Sequence, residues 1–283
     1  MSRVAYVNGR YTPLRAAAIR VEDRGFQFAD AIYEVWAVRD GQMLDMAGHL
    51  ARLKRSLSEL GMVPPLSDAS LIAVLRETMR RNRVHDGIVY LQISRGAASR
   101  DHAFPSPPVK PTLVVTAQNL DRAGQEARAR SGVKIITLPD ERWARCDIKT
   151  VSLLPNVLAK QRAREADCAE AWLIDRDGFV TEGTSSNAWI VDAQGRLRTR
   201  VLSNAILHGV TRAAIKKIAE ERQMPVLEEA FTPADAYAAK EAFLTSAANA
   251  AQAIVAIDGK RIGDGKPGPI ALALRAAYFG ADR

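Results

Sequence analysis

Four of the six dipeptides in which glycine follows asparagine or aspartate constrain the fold of this chain most strongly. They are Asn8-Gly9, Asp40-Gly41, Asp177-Gly178 and Asp258-Gly259. Such pairs adopt left-handed backbone conformations at low cost and are typical of the tight turns in β-hairpins. Between them lie runs with helical spacing, of which the leucines from Leu50 to Leu60 are the clearest example. The pattern therefore predicts an α+β protein in which hairpins and helices alternate.

The remaining elements follow from apolar spacing and from the positions of glycine and proline. Helices are predicted at residues 48–60, 67–83, 154–168, 209–222, 232–240 and 269–279. Strands are predicted at residues 4–7, 32–38, 88–94, 112–117, 133–138, 187–191 and 254–257, in a hairpin over 170–182, and near Val226 and Phe243. Residues 95–111 lack periodicity, and a loop of that length is usually functional or disordered.

The domain organisation is predicted from a change in composition near the middle of the chain. Residues 121–131 belong to a polar stretch with few helix signals at its start, which is typical of a linker. We therefore expect an N-terminal α+β domain (1–120), an interdomain linker (121–131) and a C-terminal domain (132–283). Each domain is long enough to bury its own core.

Composition and charge limit the class of protein. Hydrophobic residues make up 47% of the 283 residues and charged residues 25%, as is usual for soluble globular proteins. Neither a signal peptide nor an apolar run of membrane-spanning length is visible, so we expect a cytoplasmic protein without a membrane partner. The net charge of +8 leaves open a nucleic-acid-binding protein without catalytic activity. Because the basic residues are mixed with acids and lack neighbouring aromatic residues, we interpret them as solvated helix faces and expect no nucleic-acid partner.

Cysteine and histidine positions predict neither a disulfide framework nor a metal site. Cys146 and Cys168 are the only two cysteines, and they match no metal-binding spacing. His49, His85 and His208 also lack the spacing of metal ligands, so we expect structural roles for them. No metal cofactor is therefore expected.

Lys149 and Glu182 are the residues whose positions most suggest catalysis. Lys149 lies where an apolar, strand-like run meets a helix that begins near Leu154, and such a position can hold an amine partly desolvated. Glu182 ends the second strand of the hairpin at Asp177-Gly178. A lysine for an aldehyde cofactor and a carboxylate for its ring nitrogen fit this pair. On pattern alone, a solvated lysine and a turn-side carboxylate remain open, and Lys160 is the nearest rival lysine.

Several segments carry a resemblance that extends along almost the whole chain. They are Glu22-Asp-Arg-Gly-Phe-Gln-Phe-Ala-Asp-Ala-Ile-Tyr-Glu-Val35, His49-Leu-Ala-Arg-Leu53, Ser94-Arg-Gly-Ala-Ala-Ser-Arg-Asp-His-Ala-Phe-Pro105, the stretches around Lys149 and Glu182, Ile206-Leu-His-Gly-Val-Thr-Arg212 and Phe243-Leu-Thr-Ser246. In this order they resemble the fold-type-IV pyridoxal-phosphate enzymes, most closely the D-amino-acid transaminases. The resemblance implies a small N-terminal α/β domain and a larger, β-barrel-like C-terminal domain with helices, within the α+β class.

The resemblance also implies pyridoxal 5′-phosphate as cofactor and assigns residues to it. Lys149 is expected to bind it as a Schiff base and to carry the substrate Cα proton, and Glu182 to keep its pyridine nitrogen protonated. The residues expected at its phosphate are Arg52, Val210, Thr211, Ser246 and Ala247. The last of these departs from relatives that often have threonine there, so only a backbone amide is expected and cofactor affinity could be lower. Without the resemblance, Arg52 is better read as a surface arginine and Thr211 as a plain helix cap.

Substrate binding is assigned, by the same resemblance, to Arg100, His102 and Tyr33. In an extended segment, residues two apart point the same way, and this group is expected to bind the substrate α-carboxylate. Without the resemblance, an Arg-x-His pair in a loop is usually an ordinary exposed pair. In the related enzymes the loop reaches the partner subunit, so we expect a homodimer in which Arg100 and His102 serve the partner's site.

These assignments predict an aminotransferase that acts between D-amino acids and 2-oxo acids. D-Alanine and D-glutamate or D-aspartate are the expected donors. Other reactions on the same scaffold remain open, namely branched-chain or (R)-amine transamination and aminodeoxychorismate lyase. An amine transaminase or a lyase is not expected to need Arg100 and His102.

Overall fold

The computed structural model describes residues 3–280 and divides the chain into two compact units. The first comprises Met1–Arg122 with Ile148–Ser152, and the second comprises Ala123–Asp147 with Leu153–Arg283. Lys149 is thus grouped with the first unit, whereas the sequence places it in the C-terminal domain. The reason is backbone pairing of its segment with a strand of the first unit, described below with the site.

The segment predicted as an interdomain linker, residues 121–131, is helical over almost its whole length. Helix α4 covers Arg122–Ser131, and the division between the two units falls at its first residues. Alanine, glutamine, glutamate and arginine, which dominate this stretch, are good helix formers. Tertiary contacts fix the helix as well, because Ala129 is buried and Gln125 donates a hydrogen bond to the carbonyl of Ala248 (3.0 Å).

The first unit is a six-stranded antiparallel sheet covered by two long helices. Its strands are β1 (Val4–Val7), β2 (Arg10–Pro13), β3 (Ala31–Arg39), β4 (Gln42–Met43), β5 (Gly87–Ser94) and β6 (Thr112–Asn119), in the order β2-β1-β6-β5-β3-β4. Its helices are a 3-10 turn (Leu14–Ala16), α1 (Arg24–Phe28), α2 (Met46–Glu59) and α3 (Asp68–Arg81). The leucine stripe of α2 packs with Trp36 and Leu91 in the core, as its spacing predicts.

The second unit is a nine-stranded mixed sheet with helices. Its strands are β7 (Val133–Pro139), β8 (Glu170–Ile174), β9 (Val180–Gly183), β10 (Asn187–Val191), β11 (Leu197–Thr199), β12 (Val226–Glu228), β13 (Glu241–Ser246), β14 (Ala250–Ile257) and β15 (Lys260–Arg261). Their order is β12-β11-β10-β13-β14-β7-β8-β9, and β15 pairs with β14. Besides α4, its helices are α5 (Leu154–Glu165), α6 (Val210–Glu221), α7 (Pro233–Tyr237) and α8 (Pro269–Tyr278). Although β9 ends the path, it also contacts β10, so the sheet curls.

The α+β class predicted from the turns is confirmed, and the turns explain why. Asn8-Gly9, Asp40-Gly41 and Asp258-Gly259 each form a two-residue hairpin loop in which both residues have positive φ. Asp177-Gly178 lies in a longer turn between β8 and β9. There, the Asp175 carboxylate accepts hydrogen bonds from the backbone N–H groups of Asp177 (3.1 Å) and Phe179 (2.9 Å).

Within residues 3–280, every helix is too short or too polar to cross a membrane.

Candidate active site

Lys149 is held by a short segment that pairs with strand β3. The backbone N–H of Tyr33 donates to the carbonyl of Lys149 (2.9 Å), and the N–H of Val151 donates to Ala31 (3.1 Å). The Lys149 N–H in turn donates to the hydroxyl of Ser56 on α2 (3.3 Å). Because the backbone is fixed on both sides, the point from which the Lys149 side chain extends is set within the first unit.

The side chain of Lys149 lies on the face of the Tyr33 ring. Its Nζ atom is 4.0 Å from the ring centroid, and among residues 3–280 this amine forms neither a hydrogen bond nor an ion pair. The rival lysine is different, because the Nζ of Lys160 donates to the carbonyl of Ala169 and to the carboxylate of Glu170, each at 2.5 Å. The half-buried Lys149 is therefore the better candidate for an amine that bonds to a ligand.

A buried carboxylate lies next to Tyr33 in the same strand. Glu34 is fully buried and accepts hydrogen bonds from Nε (2.7 Å) and Nη2 (2.8 Å) of Arg52, and its Oε2 lies 2.8 Å from His49 Nδ1. Burial raises the pKa of Glu34, but the Arg52 guanidinium and the His49 contact outweigh it and lower the pKa to about 2. The positive charge of Lys149 acts in the same direction. Arg52 is thus fixed by Glu34, and its contact with phosphate stays a prediction.

Glu182 is the last residue but one of strand β9, and its carboxylate has three hydrogen-bond donors. Its carboxylate accepts hydrogen bonds from Asn187 Nδ2 (3.0 Å), from the backbone N–H of Leu207 (3.1 Å to each oxygen) and from Arg142 Nη1. Burial raises the pKa of Glu182, while the nearby Arg142 charge and the Leu207 amide lower it. The net shift is upward, so the state of this carboxylate depends on Arg142.

Arg142 is itself buried in a polar network within the second unit. It donates to both oxygens of Asp140 (2.7 and 2.9 Å), to the hydroxyl of Thr181 (3.3 Å) and to the carbonyl of Ala205 (3.1 Å). Burial raises the pKa of Asp140, but the hydrogen bonds from Arg142 outweigh it and lower the pKa. Since the guanidinium is fixed by these contacts, it presents one N–H to Glu182 in a constant position.

Helix α6 begins with backbone amides that no side chain caps. Its N-cap is Gly209, with Val210 and the buried Thr211 in the first turn and no acidic residue there. A Cβ atom on Gly209 would collide with the amide oxygen of Asn187, so only glycine fits. Asn187 also binds Glu182, which places this helix start close to the carboxylate. Free amides and the helix dipole at such a start favour an anion.

The second predicted phosphate contact lies in the turn that follows β13. Ser246 ends the strand and is half-buried, as is Ala247 in the turn. The carbonyls of the turn are held from outside, by Gln125 of α4 at Ala248 (3.0 Å) and by Arg275 of α8 at Asn249. The turn is therefore rigidly placed, whereas the roles of Ser246 and Ala247 toward phosphate stay predictions.

Arg100 and His102 are exposed and share one aromatic surface. The guanidinium carbon of Arg100 lies 5.2 Å from the centroid of the Phe28 ring, and the His102 ring centroid lies 5.4 Å from it. The structure thus brings the two side chains to the same side of their loop. In residues 3–280, neither forms a hydrogen bond, an ion pair or a ring contact with Tyr33 or Lys149. Tyr33 instead stacks on Tyr90 at 5.8 Å.

A comparison with known protein families decides the class of the chain. Residues 31–257 match the family model described as Amino-transferase class IV. The chain belongs to the class IV aminotransferase family. The predicted enzyme class is therefore confirmed, and with it the predicted dependence on pyridoxal 5′-phosphate.

Other proteins that are similar in sequence or in structure agree with this assignment. The D-alanine aminotransferase of Staphylococcus epidermidis is 39% identical over 96% of this chain and 95% of its own length. That of Bacillus licheniformis is 40% identical over 93% and 91%. The branched-chain amino acid aminotransferase of T.th. with pyridoxamine 5′-phosphate has a TM-score of 0.90 at 25% identity, over 99% of this chain and 94% of that one. The Escherichia coli enzyme of the same name has a TM-score of 0.89 at 22% identity, over the same shares. The predicted fold type is thereby confirmed.

The residues present fit the cofactor of this aminotransferase family. Lys149, an amine with no acidic partner among residues 3–280, matches an aldehyde, the buried carboxylate of Glu182 matches a pyridine nitrogen, and the start of α6 at Gly209 matches a phosphate. Gly209 is needed at this helix start because Asn187, which binds Glu182, approaches it too closely for a Cβ atom.

Sequence reasoning missed several residues that hold the site in place. Glu34 could have been found, because Ile32, Glu34 and Trp36 share one parity in an alternating strand, which puts a carboxylate on the core face. Arg142 gave no signal, since it lies in an irregular segment after β7. Asn187 was predicted only as the first residue of a strand.

Proposed function

We propose that this aminotransferase transfers the amino group between D-amino acids and 2-oxo acids, with D-alanine and D-glutamate or D-aspartate as donors. One observation carries the proposal: Arg100 and His102 both contact the Phe28 ring, so the loop brings two donors to the same aromatic side chain. A carboxylate accepts such a pair of hydrogen bonds well. The names of the Staphylococcus epidermidis and Bacillus licheniformis relatives support the same choice.

Lys149 is the proposed catalytic base. When bound, pyridoxal 5′-phosphate supplies an aldehyde for the amino group and a ring that accepts electrons from the substrate Cα. Lys149 Nζ would hold the cofactor through its aldehyde in the resting enzyme, and the amine, once released by the substrate, would take up the Cα proton and hold it for return to the product side of the reaction. Within the described part of the chain the amine has no acidic partner, which supports this role, because a lysine bound to a carboxylate would have to leave it first.

Glu182 is the proposed partner of the pyridine nitrogen. An anion at that nitrogen keeps it protonated, which lets the ring accept electrons. Arg142, Asn187 and the Leu207 amide support the role, because they hold the carboxylate in one orientation and oppose the effect of burial on its charge. We propose that Arg52, Val210, Thr211, Ser246 and Ala247 bind the phosphate.

Substrate handedness follows from the carboxylate contacts. If Arg100, His102 and Tyr33 hold the α-carboxylate, a D-amino acid points its Cα hydrogen toward Lys149. An L-amino acid held by the same contacts points its hydrogen away from that amine. The enzyme is therefore expected to select the D-isomer by the position of the proton that Lys149 must remove.

The alternative is a different reaction on the same scaffold, namely branched-chain or (R)-amine transamination or aminodeoxychorismate lyase. The structures of branched-chain aminotransferases favour it only through the fold. Neither an amine nor aminodeoxychorismate is expected to need Arg100 and His102. The pair therefore favours the amino-acid substrate.

We also propose a homodimer in which Arg100 and His102 serve the partner subunit's site. Helix α5 supports the dimer, because three apolar side chains on one of its faces are exposed and a second copy of the chain could cover them. Leu154 is 68% exposed, Val157 is 58% and Leu158 is 51%. A cytoplasmic location is part of the proposal as well, since Cys146 and Cys168 are free thiols.

The experiment that tests the function uses the visible spectrum of the purified protein. D-Alanine should convert the bound cofactor to its amino form and change the spectrum, whereas L-alanine should leave it nearly unchanged. With 2-oxoglutarate added, D-alanine should yield pyruvate at steady state. A spectrum that responds to simple amines or branched-chain L-amino acids but not to D-alanine would contradict the proposal and favour the alternative.

A further inference from the structure

Arg24 of the short helix α1 is a buried arginine. It binds the backbone of the loop between β5 and β6 that carries Arg100 and His102. Only 3% of Arg24 is exposed. Its Nη1 donates to the carbonyl of Asp101 (2.5 Å) and its Nη2 to the carbonyl of His102 (3.2 Å). These carbonyls belong to the stretch that carries Arg100 and His102, so the guanidinium holds the backbone between and beside the two side chains.

A shared carboxylate fixes Arg24 on its other side. Asp30 accepts from Arg24 Nε (2.8 Å) and from Arg95 at both of its oxygens (2.7 and 3.0 Å). Burial raises the pKa of Asp30, but the hydrogen bonds from Arg95 and Arg24 outweigh it and lower the pKa. Arg95 also donates to the carbonyl of Leu60 (2.8 Å), which ties the group to the end of α2. The Nε side of the Arg24 guanidinium is therefore held by Asp30, while its two terminal nitrogens bind the loop.

The first residues of the loop are joined to the same region by backbone hydrogen bonds. The N–H of Arg24 donates to Gly96 (2.9 Å), and the N–H of Ala98 donates to Glu22 (3.3 Å). Gly96 has a φ of +110°, and a Cβ there would collide with the carbonyl of Lys110, where the loop returns. Beyond Ala98, Arg24 provides the hydrogen bonds that α1 gives to the loop backbone.

Helix α1 also supplies the aromatic ring that Arg100 and His102 contact. Phe28 lies one turn after Arg24. The guanidinium carbon of Arg24 is 4.8 Å from the centroid of the Phe28 ring. Arg100 and His102 contact the same ring. One short helix thus holds the loop backbone through Arg24 and orients the two side chains through Phe28.

We propose that Arg24 is a positioning residue that determines how well the enzyme recognises the carboxylate of its substrate. By binding the carbonyls of Asp101 and His102, it fixes the direction in which Arg100 and His102 leave the backbone. A carboxylate bound by two donors requires both donors in place together. The inference rests on the proposed function, because it assumes that this pair binds the substrate carboxylate.

The test compares Arg24→Met and Arg24→Lys with Arg20→Met, a matched control on an exposed arginine whose side chain is 75% exposed. Arg24→Met leaves Asp30 paired with Arg95, so the variant should fold. Arg24→Lys keeps the charge beside Asp30 but cannot span two carbonyls as a guanidinium does. The readouts are KM and kcat for D-alanine, the inhibition constant of propionate, the cofactor spectrum and the melting temperature.

Arg24→Met should raise KM for D-alanine about tenfold, with kcat changed much less. The inhibition constant of propionate, which offers a carboxylate and no amino group, should rise by a similar factor. Arg24→Lys should show a smaller rise at an unchanged melting temperature, and Arg20→Met should behave like the wild type. The cofactor spectrum should be the same in all four proteins.

Three results are decisive. If KM and the propionate constant are unchanged in Arg24→Met, or if kcat and cofactor retention fall together with them in both Arg24 variants, Arg24 is not a positioning residue for the carboxylate. If Arg24→Met does not fold, an unchanged propionate constant in Arg24→Lys overturns the inference. A wild-type protein that neither reacts with D-alanine nor binds propionate would instead contradict the proposed function.

Discussion

The Nζ atom of Lys149 lies 4.0 Å from the centre of the Tyr33 ring, and the backbones of the two residues are joined by a hydrogen bond of 2.9 Å. The ring shields one side of the amine from water without offering it an acid. A cation on an aromatic face gains only a modest attraction, so the amine is held in place and remains free to react. The same strand then turns its next side chain, Glu34, to the core, where it binds Arg52.

Replacing Lys149 by alanine should abolish transamination, because the nucleophile and the proton carrier are lost together. Borohydride reduction of the wild-type protein should fix the cofactor to the peptide that contains Lys149, and Lys149→Ala should retain none covalently. Lys160→Ala is the matched control and should keep its covalent cofactor. Mass spectrometry that finds the cofactor on Lys160 would refute the assignment.

The charge of Glu182 should depend on Arg142, and the pH profile measures this. The double variant Arg142→Met/Asp140→Asn removes the guanidinium without leaving a buried carboxylate unpaired. The pKa of Glu182 should then rise, because the lost effect of Arg142, which lowers this pKa, is larger than the lost effect of Asp140, which raises it. The Leu207 amide still opposes burial, but only in part. Since only the anion supports catalysis, the rising limb of the half-reaction rate with D-alanine should move to higher pH. Below that limb, the rate should fall about tenfold per pH unit.

Asp140→Asn alone is the control for this pH experiment and should shift the limb in the opposite direction. It keeps Arg142 and removes a negative charge that raises the pKa of Glu182. Stopped-flow absorbance at several pH values measures both variants. If the double variant and the wild type share one midpoint, Arg142 does not control the charge of Glu182.

Local signals made much of this fold predictable from its sequence. Three Asx-Gly turns have two positive φ values each, as two-residue hairpins require, and Gly209 caps the helix that it was predicted to start. Both features depend on a few neighbouring residues. Helix α4 was missed because its polar residues carry a weak pattern, and its position depends on contacts such as the one between Gln125 and Ala248.

The site was predictable only in part, for a related reason. Motifs indicate residues that could perform chemistry, and the catalytic roles predicted for Lys149 and Glu182 rest on them. Most of the residues that hold Lys149 and Glu182 in place lie far from them in sequence. The pairing of the Lys149 segment with β3 joins parts of the chain far apart in sequence, and Arg142 reaches Glu182 from an irregular segment. Neither contact leaves a periodic trace.

Glu34→Gln should destabilise the protein in a pH-dependent way. The pKa of Glu34 is about 2 in the folded protein and 4.5 in the unfolded reference, so its ionisation favours folding above about pH 5. This contribution, about 3 kcal/mol, should shrink as the pH falls toward 2. The melting temperature of Glu34→Gln should thus lie roughly 5–10 °C below the wild type at pH 7, and the difference should narrow below pH 4 and nearly vanish near pH 2.

The matched control for Glu34 is Glu77→Gln. Glu77 lies on the surface of α3, where hydrogen bonds from Arg80 and Arg81 lower its pKa to about 2 as well. Water and salt screen such exposed pairs. The melting temperature of Glu77→Gln should therefore change little, and any change should vanish in high salt. Parallel curves of melting temperature against pH for Glu34→Gln and the wild type would contradict the role of Glu34.

Mixing two inactive variants should restore activity if the loop with Arg100 serves the partner subunit's site. Arg100→Ala lacks the carboxylate donor and Lys149→Ala lacks the base. In a mixed dimer with shared sites, one site carries both lesions and the other carries neither. Random exchange of subunits should then restore about one quarter of the wild-type activity.

Two controls accompany this experiment. Native mass spectrometry of the mixture must show mixed dimers. Lys149→Ala mixed with Glu182→Gln should stay inactive, because both residues act in their own chain and no intact site can form. If mixed dimers form and the mixture of Arg100→Ala with Lys149→Ala stays inactive, Arg100 acts within its own chain.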